Sequence, residues 1–87
     1  MEIKRSDYIT ISKALIRKLY SSGCWGKGSL YEDHLKDGFP AEEKGKVLVV
    51  ADALVKQGIL IKKRKKYGFK YYLNIEKREK IKEILCI

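Results

Sequence analysis

Five consecutive cations, Lys62, Lys63, Arg64, Lys65 and Lys66, precede a Tyr67-Gly68 pair, and Lys70 follows Phe69. These side chains neutralise anions, phosphodiesters above all, rather than make or break bonds. In a disordered tail such a run is usually a solvated face. Here it lies between two segments that read as β-strands, and cations fixed side by side in folded structure repel one another unless an anion compensates them. Nucleic acid is therefore the expected partner. Tyr67, beside the turn glycine, is placed either to stack on a base or sugar or to lie as a lid over the hairpin.

Other constellations carry less. The glycines of GCWGKGS, at 23, 26 and 28, lack the preceding strand and the terminal Gly-Lys-Ser/Thr of a phosphate loop, so the segment reads as a connector with Trp25 as a core plug. Cys24 and Cys86 lie far apart and, with His34 and Asp33, form no metal-ligand spacing. No metal or cofactor is expected. His34, the single histidine, has no serine or cysteine arranged beside it for nucleophilic catalysis, so an enzyme is not expected.

The 87 residues carry a formal charge of +9, as proteins that meet polyanions often do. The excess is local. Residues 1–55 hold nine Lys/Arg against eight Asp/Glu, whereas residues 56–82 hold eleven against two. No apolar stretch approaches the roughly 18 residues of a membrane span, and MEIKRSDYIT contains no signal-peptide core, so a soluble, cytoplasmic chain without a membrane partner is expected. The abundance of Lys, Glu and Ile resembles hyperthermophile composition, in which intracellular disulfides occur. Buried or idle thiols remain the simpler expectation for Cys24 and Cys86.

The positioning elements follow from periodicity and caps. From Asp7 as N-cap, Tyr8, Ile11, Leu15 and Leu19 mark one face of a first helix over about 7–22. A short extended piece is expected at Cys24-Trp25. The Ser29–Glu32 capping box then predicts a second helix over about 30–36. Gly38 and Pro40 lead into a third, over about 41–57, whose Val47, Val50, Ala51, Leu54 and Val55 face the core. Glu42, Gly45, Lys46, Val49, Asp52, Ala53 and Lys56 face away. Gly58 stops that helix, and a hairpin over about 59–73 follows, with residues 66 and 69 flanking its turn and Arg64 opposite Tyr71. Leu60, Phe69, Tyr71 and Leu73 then share one face. Asn74 caps a last helix over about 75–86, with Glu76 and Lys80 spaced to pair and a stripe of Ile81, Ile84 and Leu85 that allows a homodimer.

The segments LVKQGILIKKRKKYGFKYYLN and GFPAEEKGKVLVVADAL, in that order of elements, resemble the winged helix-turn-helix family, in particular small archaeal winged-helix proteins. The resemblance spans roughly residues 8–74. It implies one α+β domain, a three-helix core with a β-hairpin wing and a C-terminal helix, that binds double-stranded DNA as a transcriptional regulator or a chromatin-associated protein. It implies that the third helix enters the major groove and that the wing touches the backbone or the minor groove. Lys62, Lys63, Arg64, Lys65, Lys66 and Lys70 are then the phosphate contacts, flanked by Lys44, Lys46 and Lys56. The third helix departs from the pattern, with Glu42 and Asp52 among its lysines and no Arg or Gln in its first turns to read a base. A protein-interaction module, with Val49 as contact, and binding to structured RNA stay open as rivals.

Overall fold

The computed structural model describes residues 3–87. Its first helix, α1, spans Arg5–Ser21 and buries Ile11, Ser12, Leu15, Ile16 and Leu19. Lys4, not Asp7, is the N-cap; Asp7 sits instead in the first turn, where its carboxylate favours the positive end of the helix dipole. The helix stops at Gly23, whose φ of +68° lets Cys24 N–H reach back to the Leu19 carbonyl at 3.0 Å.

The chain between helices differs from expectation. Residues 22–27 form turns rather than an extended piece, and the strand β1 is Leu30–Tyr31. Both of its residues pair with the distal strand of the hairpin, Leu30 with Tyr71 and Tyr31 with Lys70. Helix α2 is thereby shortened to Glu32–Leu35, with Tyr31 as its N-cap and no side-chain capping bond. The Ser29 capping box does not form, because Leu30 and Tyr31 are extended in the sheet.

A 3₁₀ turn at Ala41–Glu43 leads into α3, Lys44–Lys56. Val47, Val50, Ala51 and Leu54 are buried and Val55 is half-buried, while Val49 is 41% exposed, as the period requires. Gly58 at φ +79° closes α3 as Gly23 closes α1, with Ile59 N–H donating to the Leu54 carbonyl at 3.0 Å.

Strands β2, Leu60–Lys65, and β3, Gly68–Leu73, are antiparallel, and the three strands are ordered β1-β3-β2. Their register differs from the expected one by two residues: Lys65 lies opposite Gly68, Arg64 opposite Phe69, Lys62 opposite Tyr71 and Leu60 opposite Leu73. The turn is Lys66-Tyr67. Neither of those residues has positive φ; Gly68 does, at +128°, as the first residue of β3. Pairing Leu60 with Leu73 buries both. A shift by two keeps every side chain on its expected face.

Asn74 caps the last segment as expected: its side chain accepts from Glu76 N–H at 3.1 Å and its amide donates to the Gly58 carbonyl at 2.8 Å. A 3₁₀ turn at Ile75–Lys77 precedes α4, Arg78–Leu85. Glu76 lies in that turn rather than in the helix, and no Glu76–Lys80 ion pair forms among the described residues. Ile81 and Leu85 are 0% and 5% exposed, part of the same core as α1 and α3. That corrects the expectation of a dimer stripe: the chain itself covers those side chains, and only Ile84 is half-exposed. Both cysteines are free, Cys24 buried and Cys86 exposed. No helix among the described residues is long and apolar enough to cross a membrane.

Candidate nucleic-acid interface

Burial fades along β2 from Leu60 to the tip, so the hairpin projects beyond the core. Strand alternation divides its cations. Leu60, Lys62 and Arg64 share the core-side face with Phe69, Tyr71 and Leu73, while Lys63 and Lys65 share the outer face with Lys70. Lys63 and Lys70 are direct cross-strand partners, and Tyr31 follows in the same row across β3. Like charges directly opposite each other destabilise a sheet. Lys63, Arg64, Lys65 and Lys66 are exposed and have no ion pair among the described residues.

Lys62 has a different setting. Its ammonium lies 3.2 Å from Asp52 Oδ1 and 3.8 Å from Glu32 Oε1, and 4.4 Å from the Phe69 ring centroid. The buried Tyr71 hydroxyl lies 3.0 Å from Asp52 and 3.1 Å from Glu32. That hydroxyl has one proton, so it donates to one carboxylate at a time and Lys62 serves the other. Burial first, and then the two carboxylates, hold the Tyr71 phenol far above the ordinary tyrosine range. The cluster ties β2 and β3 to α3 through Asp52 and to α2 through Glu32. Sequence reading missed it because its members come from four elements with no shared spacing.

On α3, Lys44 and Lys56 are exposed, whereas Lys46 donates to Asp7 of α1 at 3.3 Å. The outward face of α3 therefore presents Lys56 and Val49, with Lys46 and Asp52 already paired. Lys70 is half-buried with its ammonium 4.7 Å from the Tyr31 ring centroid. Of the nine cations expected to meet phosphate, the structure gathers Lys63, Arg64, Lys65, Lys66 and Lys70 on one hairpin. It engages Lys62 and Lys46 elsewhere.

The remaining chemistry-bearing residues do not converge. His34 Nδ1 lies 3.3 Å from Asp37 Oδ2 on the surface, and Lys18 donates to the carbonyls of His34 and Asp37. No three His, Cys, Asp or Glu side chains among the described residues gather as metal ligands. Burial raises the Cys24 thiol above its ordinary range, which keeps it protonated and unreactive. Trp25 is half-buried, edge-on to Tyr20 at 5.8 Å between centroids. Compared with protein-family models, curated proteins and solved structures, the chain finds no match.

Proposed function

We propose that this chain is a winged-helix domain that binds double-stranded DNA, with β2 and β3 as its wing, in the service of transcriptional regulation or chromatin organisation. The observation that carries the proposal is the set of exposed cations on an ordered hairpin that have no acidic partner among the described residues: Lys63, Arg64, Lys65 and Lys66, with Lys70 facing Lys63. The fold tolerates this repulsion although it neutralises Lys62 a residue earlier with two carboxylates. A polyanion relieves the repulsion on binding, and counterion release from the duplex supplies affinity.

The order of helices and the β1-β3-β2 sheet support the winged-helix reading, and α3 lies beside the wing as a recognition helix would. Its outward face offers few donors to base edges. The wing thus positions the protein and contributes little sequence information. Binding measured on duplex DNA of two unrelated sequences and on duplex RNA, each at two salt concentrations, tests this. Salt-sensitive affinity for DNA with little dependence on sequence is expected; binding to neither duplex would sink the reading. The exposed Val49 favours a second role for α3 as a protein contact, in which case Val49→Asp weakens a partner's binding but not DNA binding.

A further inference from the structure

The three strands contain no Asp or Glu, and their register sorts the side chains onto two unlike faces. The inner face, with Leu60, Tyr71 and Leu73, closes the core. The outer face aligns Ile61 with Tyr72, Lys63 with Lys70 and then Tyr31, and Lys65 with Gly68. None of these outer side chains is enclosed: Lys63 and Lys65 are exposed, and Ile61, Lys70, Tyr31 and Tyr72 are half-buried. Tyr67, 78% exposed at the turn, is no lid over the hairpin. It lines a cleft at the tip with Glu32, Asp33 and His34, where the carboxylates turn phosphate away.

We infer that the outer face of the sheet binds a single strand of DNA, with phosphates along Lys63, Lys65 and Lys70 and bases on the rings of Tyr31 and Tyr72. The inference goes beyond the duplex reading, of which it needs only that the hairpin meets nucleic-acid phosphate. Lysines set among aromatic rings suit an unpaired strand better than a duplex, because the bases of a duplex are stacked on one another and an unpaired strand offers their faces to a side chain. Tyr31 and Tyr72 are diagonal neighbours on β1 and β3, about 7 to 8 Å apart between Cα atoms. Two bases of one strand can reach them together.

Charge sets the path of that strand. Lys63 and Lys65 stand on β2, one margin of the sheet, whereas the exposed Asp33 follows β1 at the other margin and lies beside Tyr31 in the tip cleft. The sugar–phosphate backbone therefore follows β2, and the bases reach across β3 toward β1. Lys70 stands between, its ammonium 4.7 Å from the Tyr31 ring centroid; a phosphate that draws it aside opens the ring to a base. Stacking accepts any base, so little sequence preference is expected.

The test measures, by fluorescence anisotropy, the binding of a labelled oligothymidylate of about 12 nucleotides and of a blunt duplex. The single strand is expected to bind with a log–log salt slope of about 2 in magnitude, from three lysine–phosphate contacts. Tyr31→Leu and Tyr72→Leu should each weaken that binding about tenfold, the order of one base–aromatic stack, and leave duplex affinity unchanged. Tyr31→Phe and Tyr72→Phe, which keep the ring, should bind as the natural chain does. Photocrosslinking of the natural chain to a strand with bromouracil in place of thymine requires no variant to fold, and it should mark Tyr31 or Tyr72. Absence of single-strand binding overturns the inference and leaves the wing reading standing, as do crosslinks that fall only elsewhere or an affinity indifferent to both Leu replacements. A single strand bound as expected beside an unbound duplex overturns the wing reading alone, and binding to neither overturns both.

Discussion

Lys62 and Lys63 are sequence neighbours, yet a strand turns them to opposite faces, and their surroundings assign them different work. The Lys62 side chain, 26% exposed, answers two carboxylates and lies over Phe69. Lys63 is exposed and faces Lys70. Replacing Lys62 with Gln is expected to cost roughly 1 kcal/mol of stability, the sum of modest ion-pair and cation–π terms. Lys63→Gln should leave stability unchanged or raise it slightly, since it relieves a like-charge pair. Urea unfolding of the two variants decides this, and equal losses would mean that the Asp52–Lys62–Glu32 cluster has no energetic weight. Tyr71 makes a pH-dependent contribution to the same cluster. Its folded-state proton is held more tightly than the unfolded value of about 10 allows, so its contribution is complete below about pH 10 and falls as pH rises beyond it. The stability advantage of the natural chain over Tyr71→Phe should therefore shrink as pH rises from about 10 to about 12; an advantage that is constant across that range would show that the hydroxyl does not titrate with folding.

At the scale of elements, α3 and α4 are each tied to the core by a few side chains. Leu54→Ala in α3 and Ile81→Ala in α4 remove fully enclosed aliphatic groups and should each cost roughly 2 to 5 kcal/mol, whereas Val49→Ala on the exposed face should cost less than about 0.5 kcal/mol. Thermal melts check the ranking, and a Val49 loss as large as that of Leu54 would place the wrong face of α3 inward. The phase of α3, its glycine stop and the Asn74 cap were legible in the sequence because each is written within a few consecutive residues. Strand β1 was not. Two residues have no period, and Leu30-Tyr31 becomes a strand only by pairing with β3 some forty residues later. The hairpin register was legible in its faces but not in its turn, since the glycine pointed to Tyr67-Gly68 while the Leu60–Leu73 core pair fixed Lys66-Tyr67. An apolar stripe, likewise, does not say what covers it. For Ile81 and Leu85 the answer is the chain's own core, so removing residues 79–87 should unfold the domain rather than leave it folded.

Across the whole molecule the charge is polarised: the excess of cations gathers in the last third of the sequence, and the fold places five of them on a projecting hairpin, without an ion pair among the described residues. The cluster around Lys62 holds that hairpin against α2 and α3, and the cleft by Tyr67 opens at its tip. Because the cations alternate between two faces of the ribbon, two or three of them reach one stretch of phosphates together. Each such contact contributes about 0.9 to the log–log dependence of affinity on salt. The decisive measurement is that slope on duplex DNA for the natural chain and for the combined replacement of Lys63, Arg64, Lys65 and Lys66 by Gln, with Lys62→Gln as the control. The account predicts that the combined variant, folded by circular dichroism, binds more weakly on every duplex sequence with a slope reduced by about 2 to 3, while Lys62→Gln keeps the natural slope. Unchanged affinity and slope in the combined variant would contradict it and reduce the hairpin to a solvated face.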